Sequence, residues 1–210
     1  MITIVDYGLG NIRAFLNVYR RLNIAATTAR TADELAPASR IILPGVGSFD
    51  HAVEKLSSSG MRDVLGDLVM RKRVPVLGVC VGMQMLLDHS EEQDTPGLGV
   101  IPGRVRRFRL EGRQQPDGSR YKVPQMGWNR VRQSQPHALW HGVADGAWFY
   151  FVHSFYVEPS EVRDSAGLTD YGVGFTSAVA RDNIFATQFH PEKSAADGLT
   201  LYRNFLHWKP

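Results

Sequence analysis

The only cysteine among the 210 residues is Cys80, which stands between Gly78 and Gly82 at the end of an apolar run. This Gly-x-Cys-x-Gly spacing is the cysteine form of a nucleophile elbow, a sharp strand-to-helix turn in which glycines let backbone segments approach closely. The positive end of a helix that starts at Cys80 would stabilise a thiolate there. A single cysteine also suits an apolar core, so the chemistry depends on finding a base.

A histidine with a nearby carboxylate is the second feature that could do chemistry. His190 ends an apolar stretch, Pro191 fixes the backbone after it, and Glu192 follows. The imidazole could take the thiol proton while Glu192 holds the other ring nitrogen. One alternative is a strand-end histidine beside a surface glutamate. A metal site is disfavoured because no third ligand shares the segment, so we expect no metal and place the other histidines at the surface or in the core.

A loop with two glycines, formed by Gly45, Val46 and Gly47, follows another apolar run. If both apolar runs are parallel strands, this loop and Cys80 lie at the same edge of one sheet. The loop could then present N–H groups to an oxyanion, together with the N–H of Val81. A tight turn is the alternative explanation for Pro44-Gly45.

The elements that position these residues alternate along the first half of the chain. Residues 2–6, 41–44 and 75–79 are aliphatic at consecutive positions, which is typical of strands covered on both faces. Residues 12–22 and 61–69 carry apolar residues at helical spacing. This alternation predicts an α/β fold, an open, mostly parallel, flavodoxin-like sheet with helices on both faces.

The pattern changes after about residue 99. Residues 104–108, 128–132, 147–157 and 175–189 are rich in aromatic and β-branched residues, and the last stretch predicts a hairpin that turns near Asp182 and Asn183. A closing helix is expected over 195–208. We therefore predict an antiparallel extension in the C-terminal half. Because no Pro/Gly/Ser-rich linker separates the halves, residues 1–210 are expected to form a single domain.

Charge and composition exclude several classes of protein. The net charge is +3, with five arginines and one glutamate in residues 104–113. A solvated strand face explains this run better than an anion contact, and nucleic-acid binding is disfavoured because no recognised motif accompanies it. The N-terminal stretch lacks a charged leader, and no apolar run approaches the roughly 20 residues of a membrane span. We expect no membrane association and a cytoplasmic location, where a lone thiol stays reduced.

Taken together, residues 78–84, 44–47 and 190–192 resemble the class I, or triad, glutamine amidotransferases across essentially the whole chain. Residues 6–11, 124–129 and 150–155 further resemble the glutaminase subunits of imidazole glycerol phosphate synthase. Two positions depart from that pattern, with Gln125 where many relatives have histidine and Phe155 where tyrosine is common.

The resemblance implies a mechanism without metal or organic cofactor. Cys80 attacks the side-chain amide of glutamine, His190 protonates the departing ammonia with Glu192 as its orienting carboxylate, and water hydrolyses the glutamyl thioester. Gln84 would contact the amino-acid end of glutamine, as would the segment that contains Ser154 and Phe155.

The resemblance also implies a partner. This is the (β/α)8 cyclase subunit of imidazole glycerol phosphate synthase, which forms a heterodimer, receives ammonia through a channel, and makes imidazole glycerol phosphate and aminoimidazole carboxamide ribonucleotide in histidine biosynthesis. Asn11, Trp128 and Lys193 are expected at the docking face. Their alternatives are a helix N-cap, a strand core residue and a solvated cation.

Three other functions remain open at the level of sequence. The first is the glutaminase of a different synthase, such as that of pyridoxal phosphate or anthranilate synthesis. The second is a stand-alone cysteine hydrolase of γ-glutamyl compounds. The third is a non-catalytic module that binds an anionic partner through residues 104–113.

Overall fold

A computed structural model describes all residues from Met1 to Pro210, with thirteen strands hydrogen-bonded into one branched sheet and six α-helices. The helices are α1 (Ile12–Arg21), α2 (Ala32–Leu35), α3 (Phe49–Ser58), α4 (Met61–Met70), α5 (Val81–Met85) and α6 (Ala195–His207). The strands are β1 (Ile2–Val5), β2 (Ala26–Ala29), β3 (Ile41–Leu43), β4 (Val76–Val79), β5 (Leu87–Ser90), β6 (Thr95–Pro96), β7 (Ile101–Arg107), β8 (Gln125–Gln133), β9 (Ala147–His153), β10 (Phe155–Pro159), β11 (Ser165–Asp170), β12 (Gly174–Arg181) and β13 (Ile184–Thr187).

One half of the sheet is parallel, with the strand order β2-β1-β3-β4-β13. Every residue of β1, β3, β4 and β13 is buried, so both faces of these strands are covered. Their continuous aliphatic sequences reflect this environment. Helix α1 packs with α6, and α3 packs with α4. The predicted parallel sheet between helical layers is confirmed.

The other half of the sheet is largely antiparallel and begins at the hairpin of β12 and β13. Its closing pair is Arg181 with Ile184, which confirms the turn predicted at Asp182 and Asn183. The order continues from β12 through β10, β7 and β5 to β6, while β11, β8 and β9 branch from β12. Because β13 pairs with β4, this half of the chain is joined directly to the strand that precedes Cys80.

Two elements differ from the sequence pattern. The helix after Cys80 is short and ends at Met85, because the chain turns into β5 at Leu87. The aromatic stretch 147–157 is divided at Ser154 into two strands with different partners, β9 against β8 and β10 against β7 and β12. No helix has the length and apolar character that crossing a membrane would require.

Candidate active site

Cys80 occupies a strained turn between β4 and α5, with φ +55° and ψ −114°. This backbone region is unfavourable for a residue with a side chain, so the surrounding packing must enforce it. A Cβ on Gly78 would lie 2.9 Å from the Cβ of Ala186, and one on Gly82 would lie 1.9 Å from the carbonyl oxygen of Leu43. The two glycines therefore allow the backbone contacts that hold the turn and present the sulfur at the carboxyl edge of the sheet.

The sulfur of Cys80 is buried among polar groups from the second half of the chain. Cys80 is 5% exposed, measured over the whole residue. Its Sγ lies 3.7 Å from Nε2 of Gln188 and 3.9 Å from the carbonyl oxygen of Val152. The amide is a donor toward the sulfur and the carbonyl is an acceptor for the thiol proton, so this environment is polar rather than that of a space-filling core cysteine.

His190 and Glu192 form a close buried pair. Nδ1 of the imidazole lies 2.7 Å from Oε1 of the carboxylate, and the two side chains are 4% and 2% exposed. The hydroxyl of Tyr202 donates to Oε2 of Glu192 at 3.3 Å. The backbone N–H of His190 donates to the carbonyl of Tyr150 at 2.9 Å, which fixes the segment against β9. The carboxylate thus sets the orientation of the ring.

The pKa of His190 reflects its burial and the two side chains beside it. Burial by itself lowers the pKa of the imidazole, but the side chains of Cys80 and Glu192 outweigh burial and raise this pKa to about 10. Nε2 of His190 makes no hydrogen bond of normal geometry in this resting arrangement. Both residues line the same cavity, and the Cys80 side chain contributes to the raised pKa of the imidazole. Such contacts commonly shorten when substrate binds.

The loop 45–47 lies against the start of α5. A Cβ on Gly45 would lie 2.3 Å from the backbone nitrogen of Gly82 and 2.7 Å from the carbonyl carbon of Val81, so only glycine fits here. Gly47 has φ +85°, which also favours glycine. The hydroxyl of Tyr7 donates to the carbonyl of Pro44 at 2.7 Å and anchors the start of the loop. The loop and the N–H groups at the N-terminus of α5 are therefore neighbours.

A cavity of about 350 Å³ brings most of the predicted site residues together. Those that line it are Val46, Gly47, Cys80, Val81, Gln84, Ser154, Phe155, His190 and Lys193. Gly45 and Glu192 lie behind this wall. A larger groove of about 1250 Å³ runs along β8, β11 and β12, but neither Cys80 nor His190 lines it. The smaller cavity is therefore the candidate site.

Gln84 was expected to contact the amino-acid end of glutamine, but its side-chain nitrogen is already hydrogen-bonded within the protein. Its Nε2 donates to the carbonyl of Phe155 at 3.2 Å and to Oε1 of Gln188 at 3.0 Å, and the residue is 3% exposed. The amide nitrogen is therefore engaged within the protein even though the side chain lines the cavity. The backbone carbonyl of Ser154 accepts the N–H of Phe108 at 3.1 Å, which fixes the opposite wall.

The two positions that depart from the family pattern, Gln125 and Phe155, both contact His153, a residue that lines the cavity. Burial lowers the pKa of His153 to about 4, with a hydrogen bond to Phe155 opposing the shift and the charge of His190 adding to it. Its Nδ1 lies 2.7 Å from the Phe155 carbonyl, which can only accept, so Nδ1 carries the proton. Nε2 of the neutral ring can then only accept, so a hydrogen bond with Gln125 requires that side-chain amide to turn its NH2 group toward Nε2, where its Oε1 lies 2.9 Å away.

The residues predicted at a docking face are all exposed, although their surroundings differ. Asn11 caps α1 by accepting the N–H of Ala14 at 3.3 Å. Trp128 is 50% exposed, so the alternative that it is a strand core residue is wrong. Lys193 lies over the ring of Tyr150, with Nζ 5.6 Å from the ring centroid, and also lines the cavity.

Two further features are explained by local ion pairs. In the arginine-rich run 104–113, Arg106 pairs with Glu91 at 2.9 Å and with Glu158 at 2.8 Å, which favours the solvated strand face. Among the other histidines, His89 lies 3.0 Å from Asp94, an exposed carboxylate that does not line the cavity. No group of three or more His, Cys, Asp or Glu is arranged as a metal site.

Three functional candidates were not predicted from the sequence. Glu92 is the carboxylate in the cavity lining, Gln188 contacts the sulfur, and Tyr7 anchors the loop 45–47. Gln188 stands two residues before His190, and this proximity was the one available signal. Glu92 and Tyr7 reach the site only through the fold.

Comparison with known proteins identifies the family. The family model described as glutamine amidotransferase class-I matches residues 3–208. The imidazole glycerol phosphate synthase subunit HisH of Bdellovibrio bacteriovorus is 53% identical over 209 residues, covering 98% of each chain. The corresponding subunit HisH of Dechloromonas aromatica is 49% identical over 211 residues, covering 100% of this chain and 97% of that protein.

Solved structures share the fold at low sequence identity. A crystal structure of a glutamine amidotransferase has a TM-score of 0.74 at 18% identity, covering 98% of this chain and 97% of that chain. The glutaminase domain of Trypanosoma brucei CTPS has a TM-score of 0.64 at 15% identity, covering 100% and 94% respectively. The chain therefore belongs to the class I glutamine amidotransferases and, within them, to the family of the imidazole glycerol phosphate synthase subunit HisH.

Proposed function

We propose that this chain is the glutamine-hydrolysing subunit of an imidazole glycerol phosphate synthase and acts through Cys80, His190 and Glu192. The observation that carries the proposal is that His190 lines the same cavity as the only cysteine and is held from behind by Glu192, with Nδ1 and Oε1 2.7 Å apart. A thiol, an imidazole and a carboxylate in this order are the parts of a nucleophilic relay.

The proposed reaction proceeds through a thioester. His190 already holds a proton at neutral pH because its pKa is raised to about 10, and beside this imidazolium the Cys80 sulfur attacks the side-chain amide carbon of glutamine to form a tetrahedral oxyanion. His190 then donates its proton to the amide nitrogen, which leaves as ammonia when the C–N bond breaks. Water, deprotonated by His190, attacks the glutamyl thioester and releases glutamate and the thiol.

The oxyanion is assigned to the N–H groups of Val81 and of the loop 45–47. Val81 is the first residue of α5, and the first N–H groups of a helix lack partners within the helix. Since Gly45 lies against Val81 and Gly82, N–H groups from both segments can converge on one oxygen. Rotation of a peptide at Gly45 or Val46 would supply or withdraw such a donor, and Val46 is 38% exposed, which leaves room for that movement.

The amino-acid end of glutamine requires charged partners because it is zwitterionic. Glu92 supplies a carboxylate in the cavity wall, and its Oε2 accepts the N–H of Phe49 at 2.8 Å, which holds the side chain in place. We assign this carboxylate to the α-ammonium group of the substrate. Gln84, Ser154 and Phe155 form the adjoining wall and complete the proposed binding site.

An exposed aromatic surface supports the proposal that the chain binds a partner protein. We name the outer face of β8 and β9, made by Met126, Trp128, Trp148 and Tyr150, the aromatic face. Met126 is 65% exposed, and Trp128 packs edge-to-face on Tyr150 with ring centroids 6.1 Å apart. Exposed aromatic side chains of this kind are typical of interfaces.

The aromatic face is continuous with the cavity, because Met126 pairs across the strands with Val152, a lining residue. The proposed occupant is the (β/α)8 cyclase in a heterodimer, with Trp128, Lys193 and Asn11 at the interface. Ammonia released at Cys80 would pass to the cyclase for incorporation into imidazole glycerol phosphate, with aminoimidazole carboxamide ribonucleotide as the second product.

Domain organisation and location belong to the same proposal. We propose that residues 1–210 form a single domain, because 55 buried apolar residues from both halves make one cluster and the site draws on both. A thiol nucleophile must stay reduced, which supports the cytoplasm as its location.

The test measures glutamine hydrolysis with and without the cyclase and its nucleotide substrate. We expect weak hydrolysis by the isolated chain and a large increase when both are added. Strong hydrolysis that is indifferent to the cyclase would favour a stand-alone hydrolase. Stimulation by a different synthase would reassign the partner, and failure of a glutamine-like electrophile to label Cys80 would contradict the catalytic role.

A further inference from the structure

Gln188 is a fully buried polar residue that the proposed mechanism does not use. It follows β13 directly, is 0% exposed, and its backbone N–H donates to the carbonyl of Ser177 at 2.9 Å. Its Nε2 lies 3.7 Å from Sγ of Cys80, while its Oε1 accepts Nε2 of Gln84 at 3.0 Å. Both ends of its amide are therefore engaged, one of them by the nucleophile.

The orientation of this amide is fixed from the far end of a short relay. The carbonyl of Phe155 can only accept, so Gln84 must turn its NH2 group toward it, at 3.2 Å. The same NH2 group then donates to Gln188, which must present its oxygen to Gln84. Only the NH2 group of Gln188 remains to face the sulfur.

This geometry distinguishes the two protonation states of Cys80. The carbonyl of Val152, 3.9 Å from Sγ, can accept the proton of a thiol but repels a thiolate. The N–H of Gln188 interacts more strongly with a thiolate than with a thiol, because hydrogen bonds to ionised groups are the stronger ones. Cys80 also interacts with the imidazole of His190 and the phenol of Tyr7, and because a substitution at position 188 leaves both groups in place, the contribution of Gln188 can be measured against a constant background.

We propose that Gln188 is a positioning residue that holds the Cys80 sulfur in place and favours its thiolate by donating an N–H. This inference rests on the proposed function, because it concerns the nucleophile of the same reaction. The same chain of hydrogen bonds connects the sulfur to the carbonyl of Phe155 in the proposed glutamine site.

The test is the pH dependence of Cys80 alkylation by iodoacetamide in the full chain, a readout that needs no glutamine. Gln188→Met removes the donor at similar volume, and we expect the midpoint of the alkylation profile to rise by about one pH unit, so that the rate measured at a pH below both midpoints falls about tenfold. The kcat for glutamine should fall by a similar factor while KM changes less.

The matched control is Thr187→Val, which removes a buried hydroxyl on the neighbouring residue. That hydroxyl donates to the carbonyl of Phe189 at 3.0 Å and not to the sulfur, so we expect the parent profile. If Gln188→Met does not fold, Gln188→Asn keeps an amide but shortens its reach by one methylene. It should raise the midpoint in the same direction.

An unchanged midpoint in the variant at position 188 that folds would overturn the inference, as would an equal shift in Thr187→Val. The experiment also distinguishes failure of this inference from failure of the proposed function. A parent chain that does not hydrolyse glutamine with any synthase, yet shows the shifted midpoint on substitution of Gln188, would contradict the glutaminase and support the thiolate-positioning role.

Discussion

The imidazole Nδ1 of His190 and the carboxylate Oε1 of Glu192 are 2.7 Å apart although the residues are separated by a single proline. A short 3-10 turn, Pro191–Lys193, produces this proximity. The hydroxyl of Ser194 closes the turn by donating to the carbonyl of His190 at 2.6 Å. The base and its orienting carboxylate are therefore neighbours in the sequence. Only the nucleophile, Cys80, has to be brought close to them by the fold of the sheet.

The first prediction separates the base from the residue that orients it. His190→Ala should lower kcat/KM for glutamine by about a thousandfold or more, because it removes both proton transfers. Glu192→Gln should cost about ten- to a hundredfold, since an amide oxygen can still accept from Nδ1 but does not balance the imidazolium charge. Steady-state hydrolysis with the cyclase present measures both. Equal losses would show that the roles are misassigned.

The second prediction divides the two activities of the proposed complex. Cys80→Ser should abolish glutamine-dependent synthesis, because a serine hydroxyl ionises far less readily than a thiol. Under the proposed division of labour, synthesis from added ammonia depends on the cyclase alone and should stay near the parent rate. The assay follows product formation from each nitrogen source, with Cys80→Ala as a second variant. Loss of the ammonia-dependent reaction would contradict the division of labour.

The fold could be predicted wherever the burial or turning of a segment determines which residue types it contains. The fully buried strands β1, β3 and β4 are continuous aliphatic runs, and the hairpin of β12 and β13 is marked by Asp182 and Asn183. The division of residues 147–157 into two strands at Ser154 is not marked by any change of residue type. Both halves are aromatic and β-branched, and only the choice of strand partners separates them.

The site could be predicted to the extent that its chemistry lies in short motifs. Cys80 and its two glycines, and His190 with Glu192, are each recognisable within five residues. The positions of Glu92 and Tyr7 depend on loops that return to the site from elsewhere, and a buried amide such as Gln188 resembles any polar residue near a strand end. Their contributions become visible only in the folded chain.

The third prediction concerns the pH dependence of stability. His190 has a pKa of about 10 in the folded chain against an ordinary value of 6.5, so the folded state holds a proton that the unfolded state loses between these values. The contribution is complete below pH 6.5 and is lost as the pH rises toward 10, with a slope of at most about 1.4 kcal/mol per pH unit. Urea unfolding at several pH values should show that His190→Gln lacks this decline.

A substitution of the exposed His141 serves as the comparison, because its side chain lies outside the cavity lining. We expect the parent slope for His141→Gln. A His190→Gln chain whose stability falls with pH as steeply as that of the parent would show that the raised pKa of His190 does not contribute.

The fourth prediction tests the carboxylate assigned to the substrate ammonium group. Glu92→Gln should raise KM for glutamine by about tenfold with a smaller change in kcat, because a charged hydrogen bond is replaced by a neutral one. The substituted amide can still accept the N–H of Phe49, so the start of α3 is preserved. Glu91→Gln is the matched control, since Glu91 pairs with Arg106 outside the cavity lining. An unchanged KM in Glu92→Gln would remove the ammonium assignment.

The fifth prediction concerns the aromatic face. Trp128 is 50% exposed and packs on Tyr150, whose ring also contacts Lys193, so its truncation removes a large apolar contact beside the cavity. Trp128→Ala should weaken binding of the cyclase by tenfold or more, as expected for a central aromatic interface residue worth roughly 2 kcal/mol. Glutamine hydrolysis by the isolated chain should be unchanged, because Trp128 does not line the cavity.

Met70→Ala is the control: it removes another exposed apolar side chain, 48% accessible at the end of α4, and should leave binding intact. Calorimetric titration of each variant with the cyclase measures the affinity. Parent-like binding by Trp128→Ala would exclude the aromatic face from the interface, whereas equal weakening in both variants would show that loss of exposed apolar surface, and not this face, controls association.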